Sequence, residues 1–438
     1  MAGVVAGAIA AEQIIATGLE AAAAVVIAAP TQPLKVSLVQ LPKPEGDSAS
    51  LARSHHSLTV INNKAYVFGG QHSSSESTDS NHNQLVLCDP VIHTLSLPGP
   101  KTHINPSPET QTSHTSFPPL PVQDASTGQP FRPTARAEHA ACSWGNRVVI
   151  HGGRDGPSAP IASDENCLWV WDVDSLSWSR LRGDTQLHKS MAPRYGHYLF
   201  SDEKQNFLLL VGGRADAAKG AGVSREVWFY DLNQQVWSAL PDAPAEPLAA
   251  AYTGHTLYLL TEEQGVQYLD VRATAEEREK PLEWLRLDEE PAPAPRPTPR
   301  EGGALVPLGT GYGREYLIYL FGGGAGAGEK KWYGDIWALQ LPSRELSGAM
   351  IKDKIRDKVL PKKVKSGEGT WAEVEVLPMQ QSESEAGKVH PGPRARFGAG
   401  AVEKGVVVWG GVNAKGDVEG DGWVIRVASG VADEDRLE

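Results

Sequence analysis

Only three cysteines, Cys88, Cys142 and Cys167, occur in 438 residues. They show no CxxC or CxxH spacing, so neither a disulfide framework nor a thiolate zinc site is expected. Basic residues are outnumbered, 41 Lys and Arg against 53 Asp and Glu, for a formal net charge of −12. Phosphate binding needs a basic field, so nucleic acid is not an expected partner. No glycosylation acceptor is present apart from the disallowed "NPS" at Asn105. These features predict a reducing, cytoplasmic location. The opening "MAGVVAGAIAAEQIIATGLEAAAAVVIAAP" has no basic residue before Lys35 and is interrupted by Glu12 and Glu20. A cleaved secretory signal is therefore not expected. Its alanines favour a short helix over residues 1–30, with Gly3, Gly7 and Ala11 forming a flat stripe. No nucleophile–base set, phosphate loop or complete metal-ligand motif appears, so no cofactor is expected and no catalytic residue can be named.

Turn formers and short apolar runs are plentiful, with 45 Gly and 32 Pro, which favours an all-β chain. Two runs set the pattern: "RVVIHGGRDG" from Arg147 and "FLLLVGGRAD" from Phe207. Each belongs to a unit with a leading arginine, two apolar strands ending in Gly-Gly, an aromatic strand and a final tryptophan. One unit runs from Arg136 through Trp169 to Trp178, the next from Arg194 through Trp228 to Trp237. A degenerate first copy starts at Arg53 and puts Leu95 in the final-Trp place. A fourth, ending at Trp284, has lost its Gly pair. A fifth runs from Arg300 through Trp337 to Trp371, and a sixth, led by Arg396, stops short of its last strand. The strand-like "LKVSLVQL" at 34–41 can supply that strand and close the ring of sheets. The expectation is a six-bladed β-propeller over residues 34–428, with insertions at 99–135 and 342–369 and an acidic tail at 429–438.

The Gly-Gly, the third-strand aromatics Trp169, Trp228 and Trp337, and the later Trp178, Trp237 and Trp371 resemble the kelch repeat, within the galactose oxidase/kelch-like superfamily. The resemblance implies a protein-interaction scaffold, because kelch adaptors of ubiquitin ligases hold acidic peptide motifs on a basic mouth. In an antiparallel blade the start of the first strand and the end of the second share one face. Arg53, Arg136, Arg194, Arg300 and Arg396, with Arg154 and Arg214 after the Gly pairs, are therefore expected to line one face and bind an acidic partner segment or a small anion.

The other reading is a small-molecule enzyme using the same mouth, similar to nitrile-specifier or galactose-oxidase-like propellers. His56, His139 and His197, in consecutive blades, are its candidate metal ligands. On the opposite face, the basic stretch 351–365 and the helix 1–30 could touch an anionic membrane surface, and "PKKVK" at 361–365 resembles a nuclear-import signal.

Overall fold

The second strand of every blade contains an unbroken apolar run because both its faces are buried there. In blade 2, Val148 and Ile150 pack toward blade 1, and Val149 packs toward blade 3. In blade 3, Leu208 and Leu210 turn back to blade 2, whereas Phe207, Leu209 and Val211 turn to blade 4. Side chains alternate across a strand, so a strand sandwiched between two neighbouring sheets needs apolar residues at every position. The described residues form six hydrophobic clusters, one at each blade-to-blade junction.

The computed structural model describes residues 33–43, 51–72, 86–99, 113–123, 128, 130–156, 159–161, 166–185, 191–215, 222–263, 265–271, 281–287, 295–310, 314–323, 331–342, 369–378 and 388–428. Blade 1 contains Ser57–Ile61, Lys64–Phe68, Ile92–Ser96 and His114–Phe117. Blade 2 contains Ala140–Ser143, Arg147–His151, Leu168–Asp172 and Ser177–Leu181. Blade 3 contains Tyr198–Asp202, Phe207–Val211, Val227–Asp231 and Val236–Leu240. Blade 4 contains Pro247–Thr253, Thr256–Thr261, Gly265–Asp270 and Leu285–Arg286. Blade 5 contains Ala304–Gly309, Glu315–Gly323, Trp332–Gln340 and Trp371–Glu373. In blade 6, Gly398–Val402, Gly405–Trp409 and Gly422–Val427 are completed by Lys35–Gln40 from the other end of the chain. That strand pairs antiparallel from Val36 opposite Val427 to Gln40 opposite Trp423. The six-bladed ring and its closure by the N-terminal strand are thus as expected. The expected helix at 1–30, the basic stretch 351–365 and the tail 429–438 lie outside the described residues.

Blade 1 differs from the repeat alignment. Leu95 pairs with Ala65 and His114, in the register that Trp171 holds between Val148 and Trp178. Leu95 is therefore a third-strand residue, and His114–Phe117, from within the stretch 99–135, supplies the outer strand. With Leu95 in the final-Trp place, the third strand would instead fall just before Pro90. Pro90, just beyond it, has no N–H for an interior ladder, and the chain there makes one bridge, Gln71 to Leu87, before turning.

The Gly pair is required by close approach as well as by its left-handed φ. A Cβ on Gly152 (φ 60°) would lie 2.5 Å from the Arg194 carbonyl oxygen and 2.8 Å from His197 of the next blade; one on Gly153 (φ 103°) would lie 2.9 Å from Cβ of His139 of its own blade. Gly152→Ala is expected to cost about 3–5 kcal/mol, a left-handed penalty of roughly 1–2 plus overpacking. Gly145→Ala, at φ 56° with no atom within 4 Å of the new methyl, should cost only the first part. Urea unfolding of the two variants measures the difference, and equal costs would remove the packing explanation.

Candidate functional site

Four of the sequence-predicted mouth arginines are structural. Arg53, Arg136, Arg194 and Arg300 are fully buried. Their Nη1 groups donate to the carbonyls of Gly69 (2.9 Å), Gly152 (2.9 Å), Gly212 (3.0 Å) and Phe321 (3.3 Å). In blade 6 that place is held by Arg394, which donates to Gly410 (3.0 Å) and is fully buried, whereas Arg396 is exposed. The reverse bond joins blades: the N–H groups of Gly70, Gly153 and Gly411 donate to the carbonyls of Arg136, Arg194 and Arg53 in the next blade. The expected arginine-lined mouth is corrected accordingly. A guanidinium's several donors suit it to tying carbonyls that would otherwise be buried without partners, and that is where these arginines go.

Three locks include a carboxylate. Arg194 pairs with Glu226, Arg300 with Asp335 and Arg394 with Asp421. Each carboxylate also accepts the indole N–H of the tryptophan two residues later, at 3.1 Å (Trp228), 2.7 Å (Trp337) and 3.1 Å (Trp423). The acid-x-Trp spacing is visible in the sequence at 226–228, 335–337 and 421–423. In blade 1, His93 stands in the third-strand aromatic register and contacts Arg53 Nη2 at 2.9 Å.

His56, His139 and His197 do not converge. His139 Nε2 meets Ser57 Oγ at 2.8 Å, His197 Nε2 meets His151 Nδ1 at 3.0 Å, and His56 packs on Gly398 and Gly410. Among the described residues no group of three His, Cys, Asp or Glu side chains could hold a metal ion. These histidines fill the space that the glycines leave, one at each of three blade junctions.

The mouth is built from the position two residues after each buried arginine. His55, Glu138, Gly196, Gly302 and Arg396 all have φ between 55° and 65°. Their backbones form a ring around the axis: Arg396 N–H donates to Gly302, His55 to Arg396, Glu138 to His55 and Gly196 to Glu138, over 2.7–2.9 Å. Glycine suits this conformation, and holding His, Glu or Arg in it costs of order 1–3 kcal/mol each. Strain of this kind is found where side-chain placement matters, and here it projects three ionisable groups toward the axis.

Blade 4 interrupts the ring. Its entry, Ala243-Pro244-Ala245-Glu246-Pro247, has no arginine, and Thr261-Glu262 replace the Gly pair. Pro247 pairs with Thr261 ahead of a bulge and packs on Gly212, as His197 packs on Gly152. Glu246 is thereby level with Gly196, yet no ring bond joins blade 4 to either neighbour among the described residues. A cleft of about 320 Å³ lies at this gap. Its charged lining is Arg214 and Arg396 against Glu138, Glu246, Glu262 and Glu301, with His55, Tyr198, Val223 and Leu248 between them.

Of the predicted arginines, only Arg154, Arg214 and Arg396 belong to this region. Arg154 is already engaged, donating to Glu138 Oε1 (2.9 Å) and the Gly156 carbonyl (2.9 Å). Arg214 is half exposed and 3.8 Å from Glu246. Burial opposes ionisation of Glu138, but His55, Arg154 and Arg396 hold its carboxyl below the usual range. Burial, reinforced by Arg396, lowers His55 to about 4 against the pull of Glu138, so the imidazole is neutral at neutral pH. The mouth is of mixed charge. Sequence reasoning missed His55, Glu138 and the three glutamates of blades 4 and 5. A signal existed for the first two, namely non-glycine residues where Arg194-Tyr195-Gly196 and Arg300-Glu301-Gly302 have glycine.

The described residues form a six-bladed antiparallel β-propeller, and the central part of the chain matches a kelch-repeat family. Residues 122–268, covering blades 2 and 3 and most of blade 4, match the family described as the KLHDC2/KLHL20/DRC7 Kelch-repeats domain. The chain is 29% identical over 136 residues to human Host cell factor 2, covering 30% of this chain and 15% of that protein. It is 26% identical over 285 residues to Acyl-CoA-binding domain-containing protein 5 of Arabidopsis thaliana, covering 62% and 36%, and 26% identical over 230 residues to protein 4 of the same plant series, covering 49% and 31%. The chain thus spans little more than a third of these curated relatives at most. The solved structure of YjhT superposes with a TM-score of 0.54 at 14% identity, over 89% of this chain and 98% of that one, a likeness of fold.

Proposed function

We propose that the protein is an interaction scaffold that holds an acidic segment of a partner protein in the cleft at blade 4, with the partner's carboxylate against Arg396 and Arg214. The observation that carries this reading is Arg396. It is exposed, held at a left-handed φ of 57°, and has no side-chain hydrogen bond or ion pair among the described residues. A guanidinium placed at such cost on the axis suits a ligand carboxylate. Arg214 lies in the same cleft, only loosely answered by Glu246. The compartment proposed is the cytoplasm, which agrees with three cysteines outside any disulfide, one of them, Cys88, pushed by burial up to about 11.

The test compares wild type with Arg214→Ala/Arg396→Ala in retention of polypeptides from cell extract. A partner held near one-to-one by wild type should lose at least about tenfold in affinity, since each charge-assisted hydrogen bond contributes roughly 1.5–3 kcal/mol. Unchanged retention by a folded double variant would remove Arg214 and Arg396 from the interface.

A further inference from the structure

The unpaired charges of the cleft have two signs. Arg396 stands on the blade 6 side. On the blade 4 and 5 side, Glu262 and Glu301 are exposed and make no side-chain hydrogen bond or ion pair among the described residues. Arg214 and Glu246 partly answer each other, so the remaining balance is one guanidinium against two carboxylates. A purely acidic segment would satisfy Arg396 and crowd its other charges against Glu262 and Glu301, and like charges brought together at an interface are unfavourable. The His55 side chain is 4% exposed and lines the cleft, and its buried Nε2 faces Glu138 Oε1 at 3.5 Å. Ser54 Oγ lies 3.0 Å from Nδ1; a hydroxyl donating there leaves the ring proton on Nε2, directed at Glu138.

We infer that the segment held in the cleft is bipolar, presenting a lysine or arginine to Glu262 and Glu301 beside the acidic residue that meets Arg396. This rests on the reading of the cleft as a partner-binding site and specifies what it selects. Glu262 and Glu301 are then specificity residues: they reject segments whose charge is all negative, a task an arginine mouth alone performs poorly.

Selection of displayed random peptides on the immobilised full-length protein tests both layers. Peptides with Lys or Arg within two positions of Asp or Glu should be enriched about tenfold over the input pool. Glu262→Gln/Glu301→Gln should keep the acidic preference and lose the basic one. Arg396→Gln should lose the acidic one. Enrichment of acid-only peptides by wild type, or a basic preference that survives the double glutamine variant, overturns the bipolar inference and leaves the acidic-segment reading standing. If wild type enriches no acidic peptides at all, both fall.

Discussion

Lowering the pH from 7.5 to 5 is expected to remove at least about 6 kcal/mol of folding stability, before most carboxylates protonate. Burial, aided by neighbouring arginines, holds the imidazoles of His93, His139 and His151 down at about 3. Unfolded, each ring titrates near 6.5. Between those values the unfolded chain binds protons that the folded one refuses, so stability is full above about 6.5 and is lost as pH falls toward 3. At pH 5 each ring costs about 2 kcal/mol. Three such rings approach the whole stability of a typical domain, about 5–15 kcal/mol. His55, His56 and His197 are displaced in the same direction by burial and add to it. Asp421, held low by Arg394 against the effect of its burial, adds its share only at more acid pH. Urea unfolding at the two pH values reads the loss directly. Equal stability at both would mean that these rings are hydrated in solution.

Two arginines separated by one residue are expected to respond oppositely to truncation. Arg394→Ala removes a fully buried guanidinium from the Gly410 carbonyl, the Pro391 carbonyl and Asp421. Asp421 would keep the Trp423 indole and Lys388, but breaking a buried pair from one side still costs roughly 3–5 kcal/mol. Arg396→Ala exchanges one left-handed side chain for another and breaks no described hydrogen bond or ion pair, so stability should stay within about 0.5 kcal/mol. Arg396→Gly should stabilise by about 1 kcal/mol, because glycine releases the strain at φ 57°. Thermal midpoints of the three variants, read beside peptide binding, separate lock from site. A stable Arg394→Ala protein would show that the buried network contributes little.

The same pair shows how far the sequence could be read. Period, Gly pairs and tryptophans are local signals, and they led to the blade count and the closing strand because each blade repeats the same burial on two faces. What they could not distinguish was an arginine that locks a blade from one that faces solvent two residues later. "RAR" at 394–396 offers both, and only the carbonyl of Gly410, sixteen residues on, selects between them. The same holds for Leu95, whose strand was displaced because the spacing between Gly70 and Ile92 in blade 1 departs from that of blades 2 and 3. The cleft was harder still. Its residues come from all six blades, and its position follows from what blade 4 does not have, an arginine and a Gly pair, which a search for repeats records only as a poor copy.

Closing the ring with Lys35–Gln40 against Gly422–Val427 also sets an order in time. The strand that completes blade 6 is synthesised before every other blade strand, and its partner after all of them. At about 5–20 residues per second, it waits for roughly 20–80 s with its hydrogen-bonding edges and the apolar Val36 and Leu38 unmatched. During that interval the nascent chain holds a partly built, open circle, and any protection of that strand must come from outside the finished fold.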